Sequence, residues 1–129
     1  MIRAQVLGVQ EEAFVVIMEQ GNTNLRDLIK SEKNLSLFTC RLLMKDILTG
    51  VDFLHSSGVV HLDIKSANCI VFRNTNQPDK QNVKLCDMGL ARPITNNMRA
   101  EQEVSSLWYR APELLLGQPY FTSMVGMGM

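Results

Sequence analysis

Three side chains suited to chemistry on a phosphate fall within eight residues, His61-Leu62-Asp63-Ile64-Lys65-Ser66-Ala67-Asn68. Asp63 is a carboxylate that can accept a proton. Lys65 is a cation that can meet a phosphate. Asn68 offers an amide oxygen of the kind a hard metal ion takes. A further carboxylate, Asp87, follows nineteen residues after Asn68 in Lys84-Leu85-Cys86-Asp87-Met88-Gly89. Each has an ordinary alternative. Asp63 suits a turn or a helix cap, and Lys65 an exposed surface. Asn68 suits a loop amide bonded to its own backbone, and Asp87 a turn beside Gly89.

The elements around these residues follow from patterning. Val6 to Val9 and Ala13 to Met18 are short apolar runs rich in β-branched residues, with polar Gln10-Glu11-Glu12 between them. They read as paired strands. Gln20 to Asn24 is a breaker cluster, and Asn24 is placed to cap a short helix over Leu25 to Lys30. Ser36 caps a long helix from about Leu37 to Ser56. Its stripe of Cys40, Leu43, Met44, Ile47, Leu48, Val51 and Leu54 predicts one buried face, and Gly58 ends it. Val59-Val60 and Ile70 to Phe72 read as strands on either side of the Asp63 loop. Arg73 to Asn82 reads as a polar turn, and Val83 to Cys86 as the next strand. Ala91 to Glu103 reads as irregular.

With 129 residues, 46% of them hydrophobic, the chain suffices for one small domain with a core. A net charge of zero offers no basic face for nucleic acid, so no nucleic-acid partner is expected. No apolar run is long enough to span a bilayer, and no membrane partner is expected. The cysteines Cys40, Cys69 and Cys86 have neither paired nor metal-ligand spacing. That fits reduced thiols in a cytoplasmic or nuclear protein.

A third block, Trp108-Tyr109-Arg110-Ala111-Pro112-Glu113, completes an ordered series. In order and spacing the three blocks resemble the catalytic loop, the metal-binding loop and the Ala-Pro-Glu segment of a protein kinase. Leu107 to Gly117 is similar to the form found in cyclin-dependent and MAP kinases. The resemblance runs from about Val6 to Val125. It implies an α+β fold: the last two strands of the kinase small lobe, the hinge, and the helical start of the large lobe. Residues 1–129 would then be a partial kinase domain, truncated at both ends.

By that resemblance the reaction transfers the γ-phosphate of ATP to a Ser or Thr hydroxyl of a protein substrate, with ATP and Mg²⁺ as cofactors. Asp63 would accept the hydroxyl proton, and Lys65 would neutralise the transferred phosphate. Lysine at that position is the Ser/Thr form. Asn68 and Asp87 would hold magnesium, which needs few protein oxygens because it keeps waters and phosphates. In the hinge, the backbone of Glu19 and Gly21 would meet the adenine edge. Met18 would guard the back pocket and Ile70 would lie under the base, although both suit ordinary core positions equally. Ser106 would bond the catalytic aspartate and lysine, or serve as a cap or loop serine. His61 would be a satisfied, half-buried residue, His55 a favourable partner of a helix C-terminus, and Cys86 a small buried hydrophobe. A regulatory protein partner is compatible with this group.

Several positions depart from the family pattern. Leu62 stands where most members carry arginine, the residue that receives an activation-segment phosphate. Glu101 lies near the usual phosphoacceptor, and Met88 replaces phenylalanine. The glycine-rich loop, the strand lysine and the glutamate helix would all lie upstream of Met1. The arginine partner of Glu113 would lie beyond the end, and Gly126 and Gly128 occupy positions of a buried aspartate and a tryptophan. A non-catalytic kinase-like interaction module and an inactive fragment are therefore the alternatives to an enzyme.

Overall fold

A computed structural model describes residues 4–10, 13–32, 34–74, 77–94, 107–110 and 112–116. Strand β1 (Ala4–Gln10) pairs antiparallel with β2 (Ala13–Met18) as a hairpin. A short strand β3 (Thr23–Asn24) leads into helix α1 (Leu25–Ser31) and then α2 (Leu37–Ser56). Strand β4 (Val59–Val60) precedes the Asp63 loop, which closes in a 3-10 turn at Ser66–Asn68. Strands β5 (Cys69–Asn74) and β6 (Gln77–Leu85) form a hairpin, and β3 adds to the free side of β5. A short strand β7 (Arg92–Pro93), a 3-10 turn at Leu107–Tyr109 and helix α3 (Pro112–Leu115) complete the described elements.

Both long-range helices start where capping chemistry puts them. The Asn24 side chain accepts a hydrogen bond from Asp27 N at 2.9 Å and donates to the Asp27 carboxylate at 2.7 Å. Ser36 Oγ accepts from Thr39 N at 3.1 Å. Each satisfies an N–H that the first helical turn leaves without an intrahelical partner. At the far end of α2, Gly58 takes φ 71° and its N–H bonds His55 O at 2.9 Å, a left-handed stop that glycine reaches without steric cost.

The core forms where α2 lies across the β5–β6 hairpin. Leu43, Ile47, Val51 and Leu54 recur at helical spacing and are buried. Cys69 and Val71 alternate on β5, directly opposite Leu85 and Val83 on β6, so the four share one face. Leu28 of α1 joins them. The helix also reaches the hairpin edge: Val83 N donates to Asp46 Oδ2 at 3.0 Å.

The structure corrects three sequence expectations. Cys40, Met44 and Leu48 are exposed and not part of the buried face. Met44 and Leu48 each follow a buried residue by one position, about 100° further around the helix, beyond the hairpin's reach. The supposed polar turn from Arg73 to Asn82 is mostly strand. Phe72 faces Asn82 and Arg73 faces Gln81, so the ladder satisfies the backbone whatever the side-chain polarity. Pro78 falls where the register shifts and has no β5 partner, so its missing N–H costs no ladder bond. Within the expected irregular stretch, Arg92 and Pro93 pair with Val60 and Val59.

Candidate active site

Strand β4 delivers the chain into a buried loop. Val60, His61, Leu62 and Asp63 are all at most 6% exposed, so the loop is a fixed element and not a surface turn. Leu62 takes φ 65°, a left-handed conformation that costs a leucine on the order of 1–2 kcal/mol. Such strain persists only where surrounding contacts over-determine it, and it clusters at functional sites.

Those contacts are present. His61 is 1% exposed, and its ring bridges two backbones. Asp63 N donates to His61 Nδ1 at 3.2 Å, and His61 Nε2 lies 3.0 Å from Cys86 O. Since Nδ1 accepts, Nε2 must carry the proton and donate. The side chain of Asp63 is fixed in turn. Its Oδ2 receives Lys65 Nζ at 2.7 Å and Asn68 Nδ2 at 2.9 Å. The same Asn68 amide also donates to Asp63 O at 2.9 Å. Asp63, Lys65 and Asn68 are thus brought together, as their spacing implied. The Lys65 ammonium thus forms a charge-assisted contact with the Asp63 carboxylate.

Asp87 arrives from a different strand. The β5–β6 register places Cys69 opposite Leu85, so one step outward sets Asn68 beside Cys86. Cys86 N donates to Asn68 O at 2.9 Å. Both polar groups of the Cys86 peptide are therefore held by the catalytic loop, one by Asn68 and one by His61. The next residue, Asp87, is exposed and takes φ 63°. Aspartate tolerates that conformation better than leucine does. Its Oδ1 accepts a long hydrogen bond from Gly89 N at 3.3 Å. Cys86 itself is partly buried. Burial and then the Asp87 charge push its thiol above the ordinary range. Burial, and then Cys86, push the Cys69 thiol up to about 11. Neither cysteine has the electropositive setting of a nucleophile.

The donor set fits magnesium. Asn68 spends its amide nitrogen on Asp63 and so presents Oδ1, while Asp87 adds a carboxylate on an exposed turn. Among the described residues, no group of three His, Cys, Asp or Glu side chains stands together as a metal site. A hard cation that draws its remaining ligands from phosphates and water needs no such group.

The segment joining β2 to β3 lies against the same hairpin. Gly21 sits so close to Ile70 that an added Cβ would clash with Ile70 Cγ2. A larger residue fits there only if the Ile70 side chain moves. Asn22 N donates to Val71 O at 2.9 Å, and Arg73 N donates to Asn22 Oδ1 at 2.7 Å. The Glu19 carboxylate is bound by Lys84 Nζ at 2.7 Å to each oxygen. Glu19, Gly21 and Ile70 therefore adjoin one another. Met18 is 54% exposed.

Sequence reasoning missed three contacts, Lys84–Glu19, Asp46–Val83 and Ser66–Tyr109. Lys84 and Glu19 are 65 residues apart, and nothing local marks them as a pair. Asp46 carries no motif. Ser66 Oγ and Tyr109 Oη lie 2.9 Å apart, joining the catalytic loop to the Trp-Tyr-Arg segment. Adjacency of Ser66 to Lys65 was the available signal. Ser106 and Glu101 lie outside the described residues, as do Gly126, Gly128 and the Glu113 side chain.

The protein kinase domain family matches residues 2–127. Mitogen-activated protein kinase 3 of Arabidopsis thaliana is 35% identical over 107 residues, covering 83% of this chain and 27% of the relative. An Encephalitozoon cuniculi protein named as a probable cell division protein kinase is 33% identical over 126 residues, covering 98% of this chain and 38% of the relative. The crystal structure of the yeast RNA Pol II CTD kinase CTDK-1 complex superposes with TM-score 0.81 at 29% identity, over 96% of this chain and 40% of that one. The chain thus spans well under half the length of the proteins it matches. By these matches the chain belongs to the protein kinase family, in the group of MAP kinases and cell-division kinases.

Proposed function

We propose that this chain carries the phosphoryl-transfer residues of a Ser/Thr protein kinase, with ATP as donor and a protein hydroxyl as acceptor. The observation that carries the reading is the double hold on Asp63 Oδ2 by Lys65 and Asn68. It sets the plane of a buried carboxylate that accepts the substrate hydroxyl's hydrogen bond and takes its proton. Lys65 stands beside that carboxylate, where its charge offsets the negative charge of the phosphoryl group in transit. Magnesium, when bound, supplies charge neutralisation on the ATP phosphates, and Asn68 Oδ1 and Asp87 are the oxygens that would hold it. The hinge backbone at Glu19 and Gly21 orients the adenine over Ile70. Ser106 is assigned, by resemblance, to the contact between substrate and catalytic loop.

The three cysteines are free thiols, which supports a reducing compartment, cytoplasm or nucleus. Among the described residues no helix is long and apolar enough to cross a membrane. A regulatory protein partner is part of the proposal, since the similar yeast kinase was solved as a complex.

Transfer of radiolabelled γ-phosphate from ATP to a generic basic protein tests the reading. Asp63→Asn keeps the shape and the hydrogen bonds but cannot take the proton, and should lower the rate by about a hundredfold or more. Transfer that Asp63→Asn leaves unchanged would overturn the assignment.

A further inference from the structure

The Lys84 side chain lies on the far side of the hairpin from the core, in register with Ile70. Its Nζ is 2.7 Å from both oxygens of Glu19 and 4.7 Å from the centre of the Phe72 ring. The two partners of the ion pair are only 31% and 33% exposed. This is a two-point charge-assisted contact backed by an aromatic face, in a setting drier than open surface. The proton-transfer chemistry has no use for it.

Its place in the fold gives it one. Residues 19–22 have no regular structure of their own, and β5 holds the Gly21–Asn22 end through the three contacts described above. Lys84 reaches the other end, Glu19, from β6. The segment is therefore clamped at both ends by one hairpin, whose far terminus is the metal loop.

We propose that Lys84 is a positioning residue for base selectivity. By holding the Glu19 side chain it fixes the backbone edge from Glu19 to Gly21 in the arrangement that accepts adenine and rejects guanine. This rests on the ATP-binding reading above. Adenine presents an amino donor where guanine presents a carbonyl acceptor, and guanine carries an N–H where adenine has a bare ring nitrogen. On that reading the base meets the carbonyl of Glu19 and the N–H of Gly21, a pair that matches the first pattern and opposes the second. Rejection by mismatched hydrogen bonds works only when the edge cannot turn to suit the wrong base. Release of Glu19 loosens the carbonyl end while Gly21 and Asn22 stay on β5. Guanine then gains relative to adenine, and affinity for adenine itself changes less.

Competition of ATP and of GTP against a fluorescent ATP analogue, both with magnesium, measures the ratio of affinities. Wild type should prefer ATP. Lys84→Met should reduce the ATP-to-GTP preference by about fivefold, mainly through tighter GTP binding. Glu19→Gln should do the same, the double variant should be no worse than either single, and Lys84→Arg should recover most of the preference. Circular dichroism checks each variant for a native fold, and Glu19→Gln carries the test if Lys84→Met does not fold. A folded variant lacking the ion pair with wild-type preference overturns the role of Lys84 alone. A wild type that binds neither nucleotide overturns the ATP site, and this inference with it.

Discussion

His61 Nε2 donates to the carbonyl oxygen of Cys86 at 3.0 Å, across 25 residues of chain, and so fastens the catalytic loop to the metal loop. Through Nδ1 the same ring receives the N–H of Asp63. One buried side chain thereby ties the Asp63 loop to the strand end that precedes Asp87. His61→Phe keeps much of the volume and removes both bonds, leaving a buried N–H and a carbonyl without this partner. Stability should fall by about 2–3 kcal/mol. The urea midpoint measures it, and a shift within error would show that the ring merely fills space.

Alkaline stability should report Cys69. Burial holds its thiol up to about 11 in the folded chain, against 9.0 for an ordinary thiol. The folded state therefore binds the proton more tightly than the unfolded state does. The resulting stabilisation is complete below about pH 9 and is lost as pH rises toward about 11, roughly 2–3 kcal/mol in all. Urea unfolding from pH 8 to pH 11 should show a decline that Cys69→Ala flattens. An equal slope in both proteins would contradict the assignment.

By the family resemblance, Leu62 would stand at the position of a phosphate-receiving arginine. It is 3% exposed, in a left-handed backbone. Leu62→Arg would place a charge among Val60, Leu62's own apolar surroundings and the buried His61, and should cost roughly 3 kcal/mol or more. It should not raise the transfer rate. Phosphatase treatment of wild type should leave that rate nearly unchanged, because Leu62 supplies no cation to read a phosphate. A large loss after dephosphorylation would show that another group reads the switch.

Much of this was legible because the signals were local. Asn24 and Ser36 cap the helices they were expected to cap, and Leu37 to Ser56 is the helix its spacing predicts. Asp63, Lys65 and Asn68 are close in sequence, so a tight loop had to bring them together. The β5–β6 hairpin was half missed because its outer end is polar, and ladder hydrogen bonds leave no periodic mark in side-chain type. The stripe on α2 was drawn too wide. Hydropathy shows which residues prefer burial, but only tertiary placement shows that Met44 and Leu48 face away from the hairpin. Lys84–Glu19, His61–Cys86 and Ser66–Tyr109 bridge distant stretches, and no local pattern encodes them.

The Ser66–Tyr109 contact should be a modest coupling with a selective effect. Neutral hydroxyl pairs at partly exposed sites contribute about 0.5–1 kcal/mol. Ser66→Ala and Tyr109→Phe, singly and together, should give a coupling of that size in urea unfolding. In the transfer assay both should raise KM for the protein acceptor and leave KM for ATP alone. Equal rises in both constants would mean that the contact holds the catalytic loop as a whole and has no separate tie to the acceptor side.

A titration of a fluorescent ATP analogue with and without magnesium separates most directly the roles proposed for Asp63 and Asp87. Asp87→Asn removes a metal-side carboxylate and should weaken the magnesium-dependent part of binding by about tenfold or more. Asp63→Asn keeps its contacts with Asn68 and the backbone and should leave nucleotide affinity within about twofold. Equal losses from the two substitutions, or a loss confined to Asp63→Asn, would contradict the assignment of proton acceptor and metal ligand made here.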